Sequence, residues 1–142
     1  MARPSLDFTW LRVAEVLASR GSCAKRQVGC VLVDAVGHVV GTGWNGRPKA
    51  MGNCSDSPCD SGCDGIHAEV NALLQAQGRA RTAYVTHAPC WHCMKTIANS
   101  GVTKVVYVRG ATLENRTVRL AEATGIILLC CNSQGDVTCL AV

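Results

Sequence analysis

Two short motifs constrain this chain more than anything else in it: His67-Ala68-Glu69 and Pro89-Cys90-Trp91-His92-Cys93. Between them lie a run with helical spacing (Ala68, Val70, Ala72, Leu73, Ala76) and a β-like run from Thr82 to Thr86. The fold has to be built around whatever brings the two motifs together. One imidazole and two thiols are three soft donors, a set that suits zinc with its fourth position left open. Glu69 lies two residues from the histidine, within reach of a metal-held water without being a ligand. If Ile66 and Cys90 each open a helix, all three donors sit at helix N-termini, where the dipole and free N–H groups favour thiolate. A Cys-x-x-Cys alone would equally serve a redox pair or a structural zinc. Joined to His-x-Glu in this order, it points to a catalytic metal.

The totals agree with a compact catalyst. A chain of 142 residues is expected to form a single domain, 1–142, with a real core. It is 48% hydrophobic but only 4% aromatic, as in an α/β protein rich in Val, Ala and Leu. The net charge of +4 is mild, and no basic block with interleaved aromatics argues for nucleic acid. Ten cysteines would suggest disulfides in a secreted chain, but the N-terminus has no apolar signal core. The longest apolar run, Ile126 to Cys131, is far short of the about 20 residues that span a membrane. The expectation is a soluble, reduced, cytoplasmic protein.

In order, the periodicity predicts a helix over Asp7–Ser19, a buried strand over Val28–Val33 and a hairpin return over Val39–Trp44. His38 falls in that turn, where a solvated residue is expected. Residues 45–65 have no periodicity and carry Cys54, Cys59 and Cys63, so this loop should be functional or pinned. A helix over His67–Ala76, a strand over Thr82–Thr86, and a helix over Cys90–Asn99 ended by Gly101 follow. A strand over Lys104–Val108, a helix over Thr117–Ala123 and a last strand over Ile126–Leu129 complete the pattern. The result is an α/β fold with a five-stranded mixed sheet, antiparallel at its first hairpin, with helices on its faces. Trp10 reads as core, and Cys30, Cys130, Cys131 and Cys139 as packing or surface thiols.

His-x-Glu followed by Pro-Cys-x-x-Cys resembles the signature of zinc nucleobase deaminases. Further stretches sharpen the likeness: Cys23-Ala24-Lys25-Arg26-Gln27-Val28-Gly29, Thr42-Gly43-Trp44-Asn45-Gly46-Arg47-Pro48, Asn53-Cys54, His67 to Leu73, and Cys93-Met94-Lys95-Thr96-Ile97. Together they resemble the deoxycytidylate (dCMP) branch of the zinc-dependent cytidine/deoxycytidylate deaminase superfamily. The resemblance implies a three-layer α-β-α cytidine-deaminase-like fold and hydrolysis of dCMP, or a 5-substituted dCMP, to the dUMP and ammonia. It implies a catalytic zinc on His67, Cys90 and Cys93, with Glu69 moving protons. Asn45 would touch the sugar, although a turn residue before Gly46 is the alternative. Val28 would wall the pyrimidine slot, and Asn71 would face the substrate or cap local backbone. Arg26 and Lys95 are the phosphate candidates, against the alternative of solvated surface cations. A second, structural zinc on Cys23, Cys54, Cys59 and Cys63 is expected, the alternative being free thiols. By resemblance alone the protein should be a homo-oligomer, with a hexamer favoured. The chain departs from the branch at Arg109-Gly110-Ala111-Thr112, where another tyrosine is usual. The competing readings are a tRNA, nucleic-acid or free-nucleoside deaminase, and a non-catalytic zinc-stabilised binding module.

Overall fold

The computed structural model describes residues 2–23, 25–54, 63–109 and 113–141. Its elements run α1 (Leu6–Ala18), β1 (Gly29–Val33), β2 (Val39–Trp44), α2 (Ala68–Ala76), β3 (Thr82–His87), α3 (Trp91–Ala98), β4 (Lys104–Arg109), α4 (Asn115–Thr124), β5 (Ile127–Cys131) and β6 (Val137–Ala141). One mixed sheet has the order β2-β1-β3-β4-β5-β6. β3, β4 and β5 are parallel, and β1 joins β2 and β3 antiparallel.

The sheet is covered on both faces, which explains why β1 is apolar throughout. Cys30 and Leu32 meet Ala68, Ala72, Met94 and Ile97 on the side of α2 and α3. Val31 and Val33 meet Leu11 and Ala14 of α1 on the other. α4 adds Ala121 to the first layer. This is the expected three-layer α-β-α arrangement, corrected in one respect: the sheet has six strands, not five.

The sixth strand was missed because it hides its pattern. β6 lies at the sheet edge with Val137 and Leu140 well exposed, so burial imposes no clear alternation. The available signal was the turn before it. Asn132 Oδ1 accepts from the N–H groups of Gln134 and Asp136, both at 2.9 Å, and Gly135 takes φ 93°. That turn sends the chain back to pair Cys131 with Val137.

One contact places the functional elements. A Cβ on Gly43 would stand 2.2 Å from the Ala68 carbonyl oxygen and 3.2 Å from Ala72 Cβ. Only glycine in β2, facing alanines in α2, lets the helix lie this close to the strand. On the opposite edge of β2, Gln75 and Asn71 take up backbone groups of Thr42 and Trp44. α2 is thereby fixed in height as well as in distance.

Candidate metal centre and cavity

The loop of residues 45–65 closes where Gly46 and Ile66 exchange two backbone hydrogen bonds, at 3.1 and 2.7 Å. That bridge delivers His67 to the head of α2 as its N-cap, while Glu69 falls in the first turn. β3 then runs into Pro89, and Cys90 caps α3 with its sulfur accepting the Cys93 N–H at 3.4 Å. The sequence expected helices opening at Ile66 and Cys90. Both open one or two residues later, so His67 and Cys90 are caps and Cys93 lies in the first turn. All three donors thus sit at helix N-termini.

His67 Nδ1 is 3.2 Å from Cys93 Sγ and 3.6 Å from Cys90 Sγ. The three donor atoms lie within 4.8 Å of one another, the only such group of three among the described residues. His67 is exposed, Cys90 half-buried and Cys93 buried. Two sulfurs and one imidazole nitrogen, converging but short of a closed tetrahedron, fit a zinc ion that keeps one position for a small molecule.

Glu69 is 4% exposed. Burial raises its carboxyl above the usual range, partly offset by hydrogen bonds to its own backbone and Cys93 and by the nearby His67. Burial likewise pushes the Cys93 thiol up, reinforced by the charges of Glu69 and Cys90. A cation held in the centre would reverse the thiol's direction, because a coordinating thiol is deprotonated outright. Cys30 lies in the core beneath, its thiol raised first by burial and then by Glu69.

A cavity of about 350 Å³ opens beside the centre. His67, Glu69 and Cys90 line it, as do Val28, Asn45 and Arg26, three of the residues expected to contact a substrate. Asn45 holds the wall together: its Oδ1 accepts from Val28 N at 2.8 Å and its Nδ2 donates to the Arg26 carbonyl at 2.7 Å. Cys23, Cys54 and Cys63 line the same cavity, and Cys59 lies outside the described residues.

Two expectations fall away from the cavity. Asn71 does not line it; its Nδ2 donates to the Trp44 carbonyl at 2.9 Å, the backbone-capping alternative. Lys95 does not line it either. It projects from α3 over Trp91, with Nζ 3.9 Å from the ring centroid, and borders a separate groove of about 570 Å³ between α2 and α3. Arg116 approaches the same ring at 4.5 Å, so Trp91 is the partner of cations outside the cavity. Sequence reasoning missed His87, which lines the cavity. The available signal was a polar residue ending an apolar strand three positions before Cys90.

A three-layer α-β-α sheet presenting a His/Cys/Cys centre beside a buried glutamate and a cavity is the arrangement of a zinc-binding protein. The cytidine and deoxycytidylate deaminase zinc-binding region matches residues 4–109, and the chain belongs to that family. It is 34% identical over 140 residues to the deoxycytidylate deaminase of Saccharomyces cerevisiae, covering 89% of this chain but 45% of the yeast protein. It is 38% identical over 125 residues to the deoxycytidylate deaminase of Mycobacterium phage D29, covering 75% of this chain and 97% of that one. The crystal structure of a dCMP deaminase from cyanophage S-TIM5 in complex with dCMP and dUMP superposes with a TM-score of 0.76 at 27% identity, covering 92% of this chain and 99% of the other. The chain thus spans less than half the length of its yeast relative and nearly all of the D29 and S-TIM5 proteins. No helix among the described residues is long and apolar enough to cross a membrane.

Proposed function

We propose that this chain catalyses the hydrolytic deamination of dCMP, or of a 5-substituted dCMP: the nucleotide and water give the corresponding dUMP and ammonia. The observation that carries the reading is the His67/Cys90/Cys93 centre beside buried Glu69, opening on a cavity with cationic residues in its wall. Deoxycytidylate deaminases among its relatives in yeast and phage supply the substrate.

In this reading His67, Cys90 and Cys93 would hold a zinc, which would supply the Lewis acidity that makes water nucleophilic near neutral pH. Glu69 takes a proton from water as its oxygen bonds to C4 and passes that proton to the ring nitrogen N3. It then carries the proton of the new C4 hydroxyl to the amino group, which leaves as ammonia as the C4–N bond breaks. Its burial keeps bulk water from competing for that proton. Val28 walls the pyrimidine, and Asn45 meets the sugar while fixing the backbone on either side of Gln27. Arg26, with Lys25 beside it, meets the 5′-phosphate, and Lys95 drops out of that role because it borders another groove.

The test is ammonia release from dCMP, deoxycytidine, cytidine, dCTP and a tRNA anticodon loop by the zinc-loaded protein. dCMP should be preferred, with kcat/KM about tenfold or more above deoxycytidine, as expected for a charge-assisted contact worth roughly 1.5–3 kcal/mol. Equal values for the two would rule out phosphate recognition, and turnover of the anticodon loop alone would replace the reading.

Three further parts belong to the same proposal. Cys23, Cys54, Cys59 and Cys63 hold a structural zinc that anchors the aperiodic loop. Metal analysis should then find two zincs per chain, with Cys59→Ser losing one; a single zinc in fully active protein prepared without chelator refutes it. Residues 1–142 act as one domain of a cytoplasmic homo-oligomer, with a hexamer favoured. Monomers in light scattering at assay concentration would refute the assembly.

A further inference from the structure

His87 lines the same cavity as His67, Glu69 and Cys90, yet the proton path gives it no task. It ends β3, a strand flanked by β1 and β4, and stands three residues before Cys90. Rigid backbone therefore sets its distance from the metal position. The ladders pair Gly29 with Trp44 and Cys30 with Val85. One step beyond the first pair and two beyond the second put Asn45, Val28 and His87 in a row across the end of the sheet, and all three line the cavity.

The ring of His87 is oriented from behind. Thr86 is 3% exposed; its hydroxyl accepts the Gly29 N–H at 3.1 Å and lies 2.9 Å from His87 Nδ1. After accepting from a peptide that hydroxyl keeps one proton and one lone pair; when the proton goes to Nδ1, the neutral ring carries its own on Nε2. In that tautomer His87 offers Nε2–H as a donor. In the same wall Asn45 has both ends of its amide committed to backbone. Lys25 and Arg26, just before Val28, bring positive charge to the cavity. The anionic part of a nucleotide is drawn to that wall.

We infer that His87 donates a hydrogen bond from Nε2 to the 5′-phosphate of the bound nucleotide, beside Lys25 and Arg26, with Thr86 as its positioning residue. The inference rests on the nucleotide reading above and adds a residue to it.

The test compares dUMP with deoxyuridine, ligands that differ only in the phosphate, by calorimetric binding to the zinc-loaded protein. kcat/KM for dCMP and deoxycytidine is measured in parallel. His87→Leu should lower dUMP affinity about tenfold relative to deoxyuridine, and shift the ratio of the two kcat/KM values alike. His87→Gln, which keeps an N–H donor, should recover most of the loss. Thr86→Val should weaken dUMP in the same ligand-selective way, and Thr86→Ser should restore it, which a merely structural role for the hydroxyl would not produce. An unchanged preference in His87→Leu, or an equal loss for both ligands, overturns the inference. If the unsubstituted protein binds dUMP selectively through His87 but does not turn over dCMP, the proposed reaction falls and this assignment stands.

Discussion

A carboxyl group buried to 4% exposure among thiols and a histidine is costly to keep in a metal-free protein, because burial opposes its charge. Such a group is worth keeping where it exchanges protons with a substrate. Glu69→Gln preserves shape and removes only that capacity. It should lower kcat by at least a hundredfold, the low end of what a positioned acid–base group supplies. Zinc content by metal analysis should be unchanged, since Glu69 is outside the donor trio. Near-normal turnover would remove Glu69 from the mechanism. The trio itself was legible from residue type and spacing, because metal ligation leaves few alternatives. The polar neighbours were not. Asn71 and Asn45 both spend amide groups on backbone far away in sequence, at Trp44 and Val28, so neither role could be read locally. Lys95 follows the Cys-x-x-Cys closely, but at its position on α3 it lies over Trp91 and not in the cavity.

At the scale of elements, the seat of α2 on β2 controls the centre, because His67 and Glu69 begin that helix. Gly43→Ala would drive a Cβ into the Ala68 carbonyl at 2.2 Å, and backbone on both sides would have to move. The expected cost is about 1–3 kcal/mol in urea unfolding, as for other overpacked sites, together with weaker zinc retention as His67 shifts. Stability within 0.5 kcal/mol of the parent, with zinc retained, would show that α2 adjusts freely and would refute the argument. The elements themselves were readable wherever one face is buried: α1, β1, α2 and β3 follow the apolar periodicity closely. β6 escaped because an exposed edge strand carries no such pattern. α4 begins at Asn115, two residues earlier than the pattern suggests, because Asn115 and Arg116 are polar and exposed.

Across the whole molecule, each face of the sheet carries a buried tyrosine, Tyr84 against α1 and Tyr107 on the side of α2 and α3. Burial pushes the Tyr107 phenol up to about 12, with Cys130 beside it adding to the effect. Burial raises Tyr84 further, helped by the hydrogen bond its hydroxyl donates to Asp7 Oδ1 at 2.7 Å. Asp7 also binds Lys104 Nζ at 3.0 Å, which ties α1 to the sheet. The thiols of Cys30 and Cys131 are raised as well, burial first in both. Every one of these groups keeps its proton to a higher pH when folded than when unfolded. The folded state therefore binds more protons in alkali, and stability falls as pH rises. The contribution is complete below about pH 8, begins to fade as the unfolded thiols ionise, and fades faster from about pH 10 as the unfolded phenols do. Unfolding free energy measured in urea should be nearly level from pH 7 to 8 and then decline with increasing slope to pH 12. Tyr107→Phe removes one titrating group from one face, so its curve should run flatter between pH 10 and 12, whatever the offset from the lost hydroxyl. Parallel curves for the two proteins across that interval would show that Tyr107 ionises equally in both states and would refute the argument.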